Sequence, residues 1–355
     1  MDTYTNIYLS HVSALACWAV IGHKGLLPQT QTDIQDVGAA AKNPTTILGE
    51  GLLESKFMQK LPAPLDVLVP AHGRTFKSDL FTCHLREGKL PPGSLRRLTE
   101  HVFISSPELT FVQLGSVLTD VQLATVGMML CGNYSIAPND ERSLLERKPL
   151  TSLESLRHMV DSTRRFHGAA TARRALDMCL EGSRSPRESI APLLISLPPM
   201  MGGYELERPE LNRKVHLSPE AAAIVGMSEI TPDLCWYDHK TLLEYDSWEN
   251  HQDSARLSVD DLRIQAFVKD DWTALTLRTE NMNDTLKFDR IIRGVLAPSL
   301  GAKVPSLTQG YMNLQRELRD EIMSLDPYVS SSEARKRLRY FREKRKSIGF
   351  GTSGL

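Results

Sequence analysis

Residues 231–251 read TPDLCWYDHKTLLEYDSWENH and place Asp233, Glu244, Asp246 and His251 around two short apolar alternations. Side chains alternate faces along a strand, so register decides whether such acids can meet. A tight loop at His239 and Lys240 sets Asp233 opposite Asp246 and Cys235 opposite Glu244. Cβ atoms of such opposite pairs lie about 4.5–5.5 Å apart. The same register gathers Leu234, Trp236, Leu243 and Tyr245 on the other face. Carboxylates this close repel one another unless a proton or a cation neutralises them. Oxygen donors with open water positions suit Mg²⁺ or Mn²⁺, which activate water and stabilise charge building on a phosphate oxygen. Asp233, Glu244 and Asp246 are then the candidate metal ligands, and His251 is a candidate general base or further ligand. The competing reading places the hairpin at a sheet edge, where its acids face solvent and discourage edge pairing.

Two other stretches bear on the same chemistry. SRSPRESIAPLLISL opens a helix with Ser185 at the N-cap, Pro186 at N1 and Glu188 at N3. Glu188 is thus explained locally as the acid of a capping box, and is also a candidate supporting acid. Between Arg335 and Lys346, RKRLRYFREKRK holds eight basic residues and one acidic residue, with Tyr340 and Phe341 interleaved. Arg335, Lys336, Arg337, Arg339 and Arg342 can neutralise phosphates there while the rings stack on bases. A solvated, partly helical tail accounts for the same run equally well.

The elements that must position these groups are read from periodicity. LDVLVPA (65–71) and HVFISS (101–106) have the pattern of strands, and Pro107 and Glu108 open a helix over 107–118. A second helix covers 120–131. RRFHGAATARRALDMCLEG alternates basic and apolar residues at helical spacing and ends at Gly182, a C′ glycine. Strands follow at NRKVHLS (212–218), TPDLCWYD and KTLLEYDS. SVDDLRIQAFVKDD (258–271) reads as a helix capped by Ser258, TALTLR (273–278) as a strand, and DTLKFDRIIRGVLAPSLG (284–301) as a helix. This order predicts a mixed α/β fold, with helices packed on a mixed sheet.

Length and composition set the frame. The 355 residues are 41% hydrophobic and 24% charged, which provides for two domains with cores of their own. The formal net charge of −1 gives no global field to steer the chain onto nucleic acid, so any such binding rests on local charge. SALACWAVIG (13–22) is too short to span a bilayer and is preceded by Asp2 instead of a basic segment; it reads as a buried helix, with no membrane partner. Five widely spaced cysteines form neither a disulfide framework nor a CxxC zinc site, which points to a reducing, cytoplasmic setting. His11, His23, His72, His84 and His101 lack metal-ligand spacing and read as structural or exposed. MMGG (200–203) is a glycine turn without the strand-Gly-Lys-Ser context of a phosphate loop.

On these residues the stretch 181–300 resembles the restriction-endonuclease-like PD-(D/E)xK superfamily, in particular the domain related to very-short-patch repair endonucleases. The carrying pieces are SPRES with Glu188, TPDL with Asp233, LEYDS with Glu244 and Asp246, WENH with His251, and DDLR with Asp260 and Arg263. The resemblance implies Asp233 as principal metal ligand, Glu188 with Glu244 or Asp246 as supporting acids, and His251 as base or water positioner. Ser247 stands where the family often has glycine, and no lysine follows two residues after Glu244, an absence shared by the short-patch-repair branch. More loosely, residues 5–135 are similar to AbiEi-type antitoxin and transcription-regulator proteins through YLSHVSALACW, LDVLVPAHG, HVFISSPELTFVQL and LCGNY. The expected organisation is an AbiEi-like N-terminal domain (1–160), a restriction-endonuclease-like domain (161–302) and a helical basic tail (303–355). The expected function is a Mg²⁺-dependent (or Mn²⁺-dependent) DNA endonuclease or nickase, in phage defence or a toxin-antitoxin-like system. The alternatives are a catalytically inactive nuclease-fold DNA-binding regulator, or a protein that works through an interface with a cognate toxin or a second copy of itself.

Overall fold

The computed structural model describes residues 6–24, 30–31, 34–40, 64–70, 79–137, 140–246, 254–323, 340–341 and 343. The chain forms two compact units, Met1–Cys179 with Met323–Leu355, and Leu180–Ile322. The division therefore falls after Cys179, where the sequence places it after 160, and residues 303–322 go with the second unit.

In the first unit the strands are β1 (Ile7–Leu9), β2 (Thr30–Gln31), β3 (Leu65–Val69), β4 (Phe81–Leu85), β5 (Leu95–Arg97) and β6 (Val102–Ser105). They form one sheet in the order β2-β5-β6-β1-β3-β4. β1 runs parallel to β6 and antiparallel to β3, so the sheet is mixed. Every residue of β3 and β6 is buried, Asp66 and Ser105 included, so neither strand shows the alternation of a sheet with one solvent face. Helix α1 (His11–Lys24) contributes Ala14, Cys17 and Trp18 to a core with Ile7, Leu65, Val67, Phe81 and Ile104. α2 (Pro107–Leu114) begins where expected: the Ser106 hydroxyl accepts from the Leu109 N–H and Pro107 fills the first turn, where no N–H is needed. α3 (Asp120–Leu130) is opened by a reciprocal Thr119–Gln122 capping box. A hairpin of β7 (Tyr134–Ala137) and β8 (Asp140–Glu146) and helices α4 (Leu153–Ser162) and α5 (Ala169–Leu176) complete the unit. The helix expected through 182 is confined to α5. Gly168 stands at its N-cap with φ 97°, and a left-handed residue cannot continue a right-handed helix.

The second unit holds a four-stranded sheet, β14-β13-β12-β9, built from β9 (Glu210–Leu211), β12 (Leu234–Trp236), β13 (Thr241–Asp246) and β14 (Thr273–Arg278). β13 is antiparallel to β12 and parallel to β14, giving the mixed sheet read from the element order. The strand expected over 212–218 is reduced to β10 (Val215–His216), which pairs with β11 (Glu229–Ile230) in a separate ribbon. Around these lie α6 (Pro186–Ser196), α7 (Pro219–Val225), α8 (Ser254–Lys269), α9 (Thr279–Asn283), α10 (Thr285–Ile291) and α11 (Gln309–Met323). α8 begins at Ser254, so Ser258 lies inside the helix and is not its cap. α10 is capped by Asp284, whose side chain accepts from the Leu286 and Lys287 N–H groups. Among the described residues no helix is long and apolar enough to cross a membrane.

Candidate functional site

The hairpin register differs from expectation by two residues. Leu234 pairs with Leu243, Cys235 with Leu242 and Trp236 with Thr241. The connection is a 3₁₀ turn, Tyr237–His239, closed by Lys240 in the left-handed region at φ 45°. Trp236 is the last residue of β12. Its indole is buried and donates to the Glu207 carbonyl at 2.7 Å, which holds it in the strand, and the Tyr237 ring packs edge-on against Trp272. A slip of two preserves the alternation of faces. Asp233 and Glu244 therefore still share a face, now as the next pair of the ladder, and Asp246 moves out of line with Asp233.

The same face carries Cys235 and Leu242, which pack against Ala266, Phe267 and Trp272. β12 and β13 are the two central strands of the sheet, so the acids do not guard a sheet edge. Cys235 is a core residue, and burial pushes its thiol up to about 11.

Glu188 reaches this cluster from the first turn of α6. Ser185 caps the helix, its hydroxyl accepting from the Glu188 N–H at 3.2 Å, with Pro186 in the first turn. The return bond of a capping box goes elsewhere: Glu188 Oε2 accepts from the Arg184 N–H at 2.8 Å and from Asn212 Nδ2 at 2.7 Å. Asn212 carries no signal in the sequence. It adopts φ 51°, a conformation Asn tolerates better than most residues. There its N–H donates to the Asp233 carbonyl at 3.0 Å while Nδ2 also donates to the Gly182 carbonyl at 2.9 Å. One residue thus ties together the acid of α6, the left-handed turn at Gly182 and the start of β12.

Asp233 is the centre of the electrostatics. Burial, with Glu244 and Glu188 nearby, pushes its carboxyl up to about 8, against the opposing pull of the Tyr245 N–H and the Arg263 guanidinium. The Tyr245 N–H donates to Asp233 Oδ2 at 2.7 Å. Arg263, on α8, donates to Glu244 Oε1 at 2.6 Å and to the Thr231 carbonyl at 3.4 Å. Three of the expected acids are therefore gathered: Glu188, Asp233 and Glu244. Asp246 ends β13 in register with Arg278, and its side chain lies outside the described part of the structure. His251 and the basic residues Arg335, Lys336, Arg337, Arg339 and Arg342 also lie outside the described residues.

The donor chemistry suits a hard cation, since carboxylate oxygens predominate and Asp233 is crowded by like charge. Among the described residues, however, no group of three or more His, Cys, Asp and Glu side chains is arranged to hold a metal ion. Arg263 already engages Glu244, and one Glu188 oxygen already accepts two hydrogen bonds. In the first unit the structure joins two histidines that their spacing keeps apart: the His11 and His84 rings stack with centroids 3.6 Å apart, and His84 Nε2 meets Asp66 Oδ1 at 2.9 Å. His11 is buried, and its pKa lies well below the ordinary value through burial and the neighbouring histidines His84 and His167, as befits a packed imidazole. Compared with family models, with curated proteins and with solved structures, the chain matches none.

Proposed function

We propose that Glu188, Asp233 and Glu244 form the active centre of a divalent-metal-dependent DNA endonuclease or nickase, completed by Asp246 and His251, with the basic run 335–346 holding the DNA backbone. The observation that supports this reading is the Asp233 carboxyl, driven up to about 8 by burial and by two neighbouring acids, Glu244 on the central strand β13 and Glu188 in the first turn of α6. Such crowding is relieved by a cation, and cation uptake by a protonated acid releases a proton. A bound Mg²⁺ or Mn²⁺ supplies an activated water and charge stabilisation at the scissile phosphate. Asp233 and Glu244 would hold it, while Asn212 fixes Glu188 and Arg263 orients Glu244. His251 would serve as the base of the site.

A second reading, a nuclease fold retained as a DNA-binding regulator, is favoured by the 2.6 Å Arg263–Glu244 pair, which neutralises one of the acids internally. The two part in one assay: supercoiled plasmid with Mg²⁺, Mn²⁺ or EDTA, using wild type, Asp233→Ala and His251→Ala. The nuclease reading expects metal-dependent nicking or cutting that falls at least about a hundredfold in Asp233→Ala, since losing even an outer-shell partner of a metal costs 10–100-fold. Cleavage that survives Asp233→Ala ends it. No cleavage, combined with salt-sensitive gel-shift binding that requires residues 334–355, supports the regulator.

A further inference from the structure

A cation of the chain itself already sits at the carboxylate cluster. Arg263, on α8, donates from Nη2 to Glu244 Oε1 at 2.6 Å and to the Thr231 carbonyl at 3.4 Å. The first is a short, charge-assisted bond and the second is near the outer limit of a hydrogen bond, so of these two the carboxylate is the stronger hold on the guanidinium. Its charge also acts on Asp233, against the combined effect of Glu244 and Glu188. The pair is open to solvent: the Arg263 side chain is 28% exposed and that of Glu244 23%, so a hydrated ion can approach it. The docking of α8 has a separate anchor, since Ala266 and Phe267 lie in a core with Cys235, Leu242 and Trp272. The long arginine side chain can therefore turn away while its helix stays in place.

We propose, resting on the metal-dependent reading above, that the Arg263 guanidinium stands in for the divalent cation at Glu244 and gives way when that cation enters, so that it opposes metal binding instead of supporting it. A guanidinium and a metal ion relieve the same repulsion between Glu244 and Asp233, so they compete for one role. They do not share it at one oxygen, because Mg²⁺ takes a carboxylate oxygen at about 2.0–2.1 Å and repels a like charge held that near. The metal carries twice the charge and binds at the shorter distance, so it prevails once its concentration is high enough. Until then Arg263 keeps Glu244 in place and stops the acids from driving one another apart. Removing the guanidinium charge should therefore lower the metal concentration at which the site fills.

The test is Mn²⁺ binding to the full chain without DNA, followed by loss of the free-ion electron-spin signal, for wild type, Arg263→Gln and Arg263→Lys. Glutamine keeps a donor near the Thr231 carbonyl but carries no charge. The half-saturating Mn²⁺ concentration is expected to fall about tenfold or more in Arg263→Gln, as the loss of a unit charge a few ångströms from a divalent ion implies. Arg263→Lys, which keeps the charge, should bind about as wild type does. Binding that is unchanged or weaker in Arg263→Gln overturns the proposal and makes Arg263 a fixed support of Glu244, while Mn²⁺ uptake by wild type leaves the nuclease reading standing. Mn²⁺ that binds neither wild type nor Arg263→Gln ends both. A second measurement needs no glutamine variant: saturating Mg²⁺ should shift the Arg263 Nε resonance in the nitrogen NMR spectrum of wild type, the signal being assigned by its loss in Arg263→Lys. A resonance that stays put while Mg²⁺ binds overturns the proposal whatever Arg263→Gln does.

Discussion

Asp233→Asn is expected to make the metal-free protein more stable at pH 7, and the gain should vanish near pH 4. In the unfolded chain an aspartate ionises near pH 3.9, whereas the folded Asp233 holds its proton up to about pH 8. Between those values the native state binds a proton that the unfolded state has lost, so wild-type stability falls as pH rises through this window. Below both values the proton is bound in both states and the penalty disappears. Asparagine is neutral throughout, and its side-chain oxygen can still accept the 2.7 Å bond from the Tyr245 N–H. At about 1.4 kcal/mol per pH unit the full window sets an upper bound of about 4 kcal/mol at pH 7. Relaxation and the nearby Arg263 reduce the expected gain to about 2 kcal/mol, or about 5 °C in melting temperature. Melting curves from pH 4 to 9 check this. A variant that is less stable than wild type at pH 7, or a difference that ignores pH, would remove Asp233 from the centre of the site. Adding Mn²⁺ should raise the wild-type melting temperature and leave the variant unmoved, a readout independent of DNA cleavage.

The parts of this arrangement visible in the sequence are those fixed by local rules. Ser185, Pro186 and Glu188 occupy the helix positions that capping chemistry assigns them, because a cap depends on neighbours within one turn. TALTLR is a strand over its whole length, and Asp284 caps the helix after it. Alternation also places Asp233 and Glu244 on one face correctly, since faces survive any even slip. The register itself is not legible. It goes with a 3₁₀ connection, Tyr237–His239, whose surroundings include Glu207 and Trp272, residues far from the hairpin in sequence. Asn212 escapes notice for the same reason: its role comes from a left-handed backbone that brings it to Glu188, 24 residues away in sequence. Arg263 stands out only through the D-x-x-R pattern, and its ion pair with Glu244 requires the docking of α8. His11 and His84 carry no spacing signal because stacking depends on β4 lying beside β3, not on separation along the chain.

Gly203→Ala should unfold the Leu180–Ile322 unit or cost it more than about 3 kcal/mol. The glycine pair Gly202-Gly203 reads in the sequence as a simple turn, and it does close the 3₁₀ segment Pro199–Met201, with Gly202 at φ 94°. Its tighter constraint is steric. A Cβ on Gly203 would lie 2.0 Å from the Leu197 carbonyl oxygen and 2.5 Å from its carbon, and one on Gly202 would lie 2.3 Å from the Leu314 oxygen. These obstacles are backbone, which cannot rotate aside as a side chain does, so α6 or α11 must shift. Because α6 carries Glu188 in its first turn, that shift should also loosen the acid cluster and its hold through Asn212. Gly226 supplies the control. It has φ 72°, but nothing lies within 4 Å of the point a Cβ would occupy, so Gly226→Ala meets only the left-handed penalty of about 1 kcal/mol. Denaturant midpoints of the two variants separate backbone collision from conformational strain. Equal losses would mean that the chain after α6 yields freely, and that Glu188 is held by its hydrogen bonds alone and not by the packing of its helix.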